Sequence, residues 1–189
     1  MNLSRPVLTL IVLWIASEIA LAFSRRSRGP GSGSLDRASL RALWIVISLS
    51  ATAAMMLAGR PWSGFGSLAP GWEIAGLGVI VAGLALRWWA ILTLGRAFTV
   101  DVAIASGQRV IEHGPYRFVR HPAYTGILVS FAGLGLLLRH WSSLLVLLVP
   151  ITAALLYRIG VEERALEAGL GEPYTRYMRR TRRLLPFIA

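Results

Sequence analysis

The chain has no cysteine and no lysine, and only 15% of its 189 residues are charged. Without cysteine there are no disulfides, no thiolate metal ligands and no cysteine nucleophile, and nothing follows about redox compartment. Three histidines without ligand spacing make no recognisable metal site. No strand-like run leads into a glycine-rich turn, so a Rossmann-type domain is not expected. With few charges and 55% hydrophobic residues, disorder is excluded.

What is present comes in long apolar blocks. Five are candidates to cross a bilayer, for which about 20 apolar residues are needed: Leu3 to Phe23, Leu40 to Gly59, Trp72 to Leu94, Ala123 to Leu138 and Trp141 to Ile159. The fourth is short: either its helix starts upstream near Pro122 and spans, or it forms a tight hairpin with the fifth through Arg139 and His140. Pro150 inside the fifth demands a kink or help from neighbouring helices. Glu18 interrupts the first block, and Ser24, Arg25, Arg26 and Arg28 follow it in place of a small-residue cleavage site, so it reads as a retained helix, not a signal peptide.

All 20 basic residues are arginine, and the net charge is +11. In a soluble chain this would suggest nucleic acid, but here the arginines fall between apolar blocks, where they act as topology signals and contacts for anionic headgroups. They concentrate in Ser24 to Arg41, in the connection after the third block (Arg96, Arg109, Arg117, Arg120) and from Arg158 onward. Arg60 stands alone in its connection. The expected topology is therefore an extracytoplasmic N-terminus, with the third connection and the C-terminal tail in the cytoplasm. The expected fold is an all-α integral membrane protein with about five transmembrane helices. Residues 1–94 form a three-helix region with one flexible linker, Arg28 to Ser34. Residues 95–189 form a second unit of loop, helical hairpin and tail.

Polar residues gather on either side of that hairpin. The first cluster is His113-Gly-Pro-Tyr116-Arg117-Phe-Val-Arg120-His121-Pro122-Ala-Tyr124-Thr-Gly126. Pro122 suits a first helical turn, where its missing N–H costs nothing, and helix N-termini favour anions. Taken alone, this cluster reads equally as a basic interfacial anchor. The second contains Arg158, Glu162, Glu163, Tyr174, Tyr177, Thr181, Arg182 and Pro186. Arg158 and Glu162 are four apart, the spacing of an intrahelical ion pair, and adjacent carboxylates also suit a solvated face.

Together the clusters resemble the isoprenylcysteine carboxyl methyltransferase family and its membrane phospholipid and thiol methyltransferase relatives. The resemblance runs from about Leu94 to Phe187. It rests on Gly114 to Gly126, on Arg158 with Glu162-Glu163, and on Gly171-Glu-Pro-Tyr174 with Tyr177, Thr181, Arg182 and Pro186. It implies an integral membrane enzyme that uses S-adenosylmethionine, releases S-adenosylhomocysteine and has no Rossmann domain. The implied cofactor residues are Gln108, Val110, Ile111, Tyr116, Arg120, His121, Tyr124 and Gly126, with Glu162 or Glu163 meeting the cofactor's cationic or hydroxyl groups in a cytoplasmic pocket between the third connection and the tail.

The chemistry of the side chains fits that expectation. A carboxylate stabilises a sulfonium or an ammonium, an arginine binds a carboxylate through charge-assisted hydrogen bonds, and Tyr116 or Tyr124 can stack on a base or face a cation. In-line methyl transfer asks mainly for alignment and exclusion of water. Arg158 and Glu163 are the catalytic candidates. Arg158 would hold an anionic acceptor, which favours carboxyl O-methylation of a lipophilic, isoprenylcysteine-like substrate. An amine acceptor needs a base, Glu163 or His121, so phospholipid N-methylation and thiol S-methylation stay open, as does the oligomeric state. Glu18 and Arg87, costly inside spans, are expected to pair with each other. The competing reading is a non-enzymatic protein whose basic face binds anionic lipid. The expected location is the cytoplasmic membrane of a prokaryote.

Overall fold

The computed structural model describes residues 4–24, 34–58, 71–99 and 108–185. The linker Arg28 to Ser34 lies outside the described residues apart from Ser34, as do Arg25, Arg26, Arg60 and Pro186. Within the described residues the protein is all-helical: α1 (Arg5–Ser24), α2 (Ser34–Ala58), α3 (Gly71–Leu94), α4 (Pro122–Leu138), α5 (Trp141–Leu170) and α6 (Glu172–Arg180). Short 3-10 turns cover Gly95–Ala97 and Gly114–Arg117.

Four of these helices, α1, α2, α3 and α5, are long and apolar enough to cross a membrane. With Leu8, Val12, Ile45, Leu49, Met56, Leu92 and Val149 exposed on their outer faces, the molecule is an integral membrane protein, because such surfaces need hydrocarbon as solvent. The five apolar blocks thus resolve into four long helices and the 17-residue α4, at the lower limit of spanning length. α4 starts at Pro122, with His121 as its N-cap, and ends on Arg139 in the left-handed conformation. α5 runs unbroken through Pro150 for 30 residues, which carries its last turns well past the thickness of a hydrocarbon core.

The tightest packing is between α3 and α4. A Cβ on Gly126 would fall 2.6 Å from the carbonyl oxygen of Gly83 and 2.8 Å from the Arg87 backbone nitrogen. The two backbones therefore touch, as small residues allow in membranes where dispersion drives helix association. The main buried cluster joins Val7 and Trp14 of α1, Leu43 and Ala54 of α2, Ile80 of α3, Ile127 and Phe131 of α4, and Leu147, Ile151 and Leu155 of α5. Gly171, at φ +63°, turns the chain from α5 into α6.

Candidate functional site

The ends of the helices that carry the polar clusters meet around one cavity. Its polar wall comes from Gln108 to Ile111, Tyr116, Arg120, His121, Tyr124, Arg158, Glu162, Tyr174 and Tyr177. Its apolar wall comes from Leu21 and Ala22 of α1, Leu40, Leu43, Trp44 and Ile47 of α2, and Ile127 of α4. Glu18 and Arg87 line it as well.

Local structure explains the convergence. After Arg180 the chain leaves α6 and runs alongside the residues that precede α4, with Val119 bridged in parallel to Arg182. The Arg120 and His121 N–H groups donate to the Arg182 and Arg183 carbonyls at 2.7 and 3.0 Å, and the Thr125 hydroxyl donates to the Leu184 carbonyl at 2.6 Å. These bonds hold the returning chain against the start of α4 and satisfy the N-cap His121 N–H, which no helical carbonyl reaches.

Glu163 ties this clasp together. Its Oε1 accepts from Arg120 Nε at 2.8 Å and lies 3.3 Å from His121 Nε2, while its Oε2 accepts from Arg183 Nε at 3.0 Å. Arg120 Nη1 further donates to the carbonyls of Met178 and Thr181. Glu163 is 3% exposed and stands behind the cavity wall, unlike its neighbour. Glu162 faces the cavity, and its Oε2 accepts from the Tyr124 hydroxyl at 2.9 Å. The adjacent carboxylates thus point apart, one into the protein and one into the cavity.

Arg158 is 1% exposed. Its salt bridge runs across the bundle to Asp36 Oδ1 at 2.6 Å, not along its own helix, and Nη1 also donates to the Asp36 carbonyl at 2.8 Å and the Ser39 hydroxyl at 2.7 Å. His121 and Tyr124 stack at 5.7 Å between centroids. Tyr177 donates to the Tyr116 carbonyl at 2.7 Å. Burial pushes the Tyr116, Tyr174 and Tyr177 hydroxyls above the ordinary phenol range, so they act as neutral donors and aromatic surfaces.

Of the sequence candidates, Gln108, Val110, Ile111, Tyr116, Arg120, His121, Tyr124, Arg158 and Glu162 all reach the cavity wall. Gly126 lies instead at the α3–α4 contact, and Glu163 in the clasp. The expected Glu18–Arg87 pair forms as a two-pronged bridge, 2.5 Å on each prong. Sequence reading did not single out Asp36 and Ser39; the available signal was the one acidic residue of α2, at its start between two serines and beside Arg37.

Fold and site together define an integral membrane protein with a cavity polar on one side and apolar on the other. Residues 76–168 match the Isoprenylcysteine carboxyl methyltransferase (ICMT) family. Over that stretch, just under half of its length, the chain is similar to that family. It is 31% identical over 128 residues to Protein-S-isoprenylcysteine O-methyltransferase B of Arabidopsis thaliana, covering 66% of this chain and 65% of that one. It is 20% identical over 166 residues to the uncharacterized protein YpbQ of Bacillus subtilis, covering 85% of this chain and 95% of that one. Its fold is similar to the solved eukaryotic intramembrane Ras methyltransferase ICMT, with TM-score 0.53 and 25% identity over 80% of this chain and 52% of that one. The chain thus spans just under two-thirds of the plant relative and about half of the solved enzyme.

Proposed function

We propose that this protein is a membrane methyltransferase that uses S-adenosylmethionine and modifies a lipophilic acceptor at the cytoplasmic face of its membrane. The observation that carries the reading is the two-sided cavity: ionic and aromatic groups on one wall, aliphatic groups from two membrane helices on the other. The donor set fits the cofactor. Glu162 offers a carboxylate for cationic groups, Arg120 a guanidinium within reach of the cavity, and Tyr116, Tyr124, Tyr174 and Tyr177 flat surfaces for a base or a cation. When bound, S-adenosylmethionine supplies an electrophilic methyl group on a sulfonium.

The chain's own part is to bind, orient and keep water out. Gln108, Val110 and Ile111 form one rim, and the clasp around Glu163 holds Arg120 and His121 in place. Gly126 acts by letting α4 approach α3, which seats Tyr124 against the cavity. Leu21, Leu43, Trp44 and Ile47 give an apolar chain a place beside the reacting group, reached laterally through α1 and α2. Orientation and water exclusion at such a site lower the barrier without a strong base, which suits a carboxylate or thiolate acceptor. The names of the plant relative and the solved enzyme point to the carboxyl group of an isoprenylcysteine, and we take that acceptor class first. In this reading α4 completes a fifth span, with the N-terminus outside.

The test is calorimetric titration of the detergent-purified protein with S-adenosylhomocysteine, followed by transfer of labelled methyl groups onto prenylcysteine analogues, phospholipid amines and thiols. Saturable binding that Glu162→Gln weakens, with label on the prenylcysteine carboxyl, is the expected result. Absence of binding by folded protein at millimolar ligand removes the enzyme reading in favour of an anionic-lipid-binding protein.

A further inference from the structure

Arg158 and Glu162 occupy one face of α5, four residues apart, where an arginine and a glutamate ordinarily pair and cancel. Arg158 remains charged wherever it sits, because guanidinium does not give up its proton in proteins. Buried at 1% exposure, it needs a counter-charge, and Glu162 is the one its own helix offers. In the structure the salt bridge goes elsewhere. Asp36, 4% exposed on the first turn of α2, takes Nη1 at 2.6 Å, and the Asp36 carbonyl and Ser39 hydroxyl surround the same nitrogen.

On the cavity side the Tyr124 hydroxyl has one proton, which it donates to Glu162 at 2.9 Å. Arg158 thus donates to Asp36 and Ser39, while Tyr124 holds the Glu162 carboxylate. Arg158, Tyr124 and Glu162 line the cavity, whereas Asp36 lies behind Arg158. Asp36 is also outside residues 76–168, the stretch that matches the family.

We propose that Asp36 is a positioning residue of the site: by binding Arg158 from behind, it leaves the Glu162 carboxylate, steered by Tyr124, to face a cationic group in the cavity. This rests on the cofactor reading above. Removing the Asp36 charge releases Arg158 towards Glu162 and silences the carboxylate without touching it. Asp36 and Glu162 are then coupled although Asp36 meets the site only through Arg158.

A double-mutant cycle on S-adenosylhomocysteine binding by the full-length detergent-purified protein reads that coupling. Glu162→Gln and Asp36→Asn are each expected to weaken binding about tenfold, the scale of one lost charge-assisted hydrogen bond. The pair together is expected to do no worse than either alone, and Asp36→Glu to retain most of the affinity. Ser39→Ala, which removes one oxygen from Arg158 and no charge, gives a smaller loss that also vanishes in the Glu162→Gln background, and it carries the test if Asp36→Asn does not fold. Additive losses at both Asp36 and Ser39 overturn the inference and leave the cofactor reading standing. No binding by folded wild-type protein overturns both.

Discussion

Arg87 on α3 and Arg158 on α5 both carry charge into the bundle, and each is met by a carboxylate from an N-terminal helix. Glu18 takes Arg87 with both oxygens, one on Nε and one on Nη2, at 2.5 Å each. Asp36 takes Arg158 end-on, at Nη1, and Arg158 shares the cavity wall with Tyr124 and Glu162. A two-pronged pair uses the geometry of guanidinium to lock two helices together. An end-on pair compensates the charge and lets the same side chain serve the site. The first arginine is a strut between α1 and α3; the second links the N-terminal half to the cavity.

The largest test of that contrast removes one partner of the strut. Arg87→Leu leaves the mostly buried Glu18 carboxylate at the cavity wall without its counter-charge and should cost about 3 kcal/mol in denaturant unfolding, whereas Glu18→Leu with Arg87→Leu should recover most of it. If the single variant is no worse than the double, Arg87 is not a strut. Next comes the contact beside it: Gly126→Ala drives a methyl group into the Gly83 carbonyl and should cost about 1–3 kcal/mol of stability, with ligand affinity also falling as α4 carries Tyr124 out of place. For the second arginine the balance should reverse. Arg158→Lys keeps the charge for Asp36 but loses the planar fork, so S-adenosylhomocysteine affinity should fall about tenfold, or roughly 1.4 kcal/mol, with a smaller change in unfolding midpoint. Equal losses in both readouts would erase the distinction between the two arginines. Tyr177→Phe, which removes the bond to the Tyr116 carbonyl, should cost about 1 kcal/mol. The exposed Arg176–Glu172 pair marks the floor, and Glu172→Ala should change stability by less than about 0.5 kcal/mol.

Much of this arrangement was legible in the residues. Hydropathy located the five longer helices but not the polar α6, Pro122 marked the start of α4, and two opposite charges inside apolar blocks predicted the Glu18–Arg87 pair. The spacing of Gly114 to Gly126 and of Arg158 to Glu163 carried the family. Other assignments were not legible. Glu162 and Glu163 are neighbours with the same chemistry, and nothing in their order says which faces the cavity; helix rotation and the returning tail turn Glu163 into the clasp. Gly126, inside the motif, looked like a ligand contact because sequence does not show that α3 passes within a carbonyl radius of it. The i, i+4 rule offered Glu162 as the partner of Arg158, and Asp36, 122 residues away, displaced it.

By itself the sequence determined an all-helical membrane protein, its family resemblance, and the two polar segments that build one end of it. These depend on local quantities: the apolar length of a segment, a proline at a helix start, a motif's internal spacing. Only the tertiary structure decided which carboxylate serves which arginine, and so which charges remain for a ligand. A buried ion takes the counter-charge that packing brings within about 3 Å, and that distance is set by how helices far apart in the chain come to lie side by side.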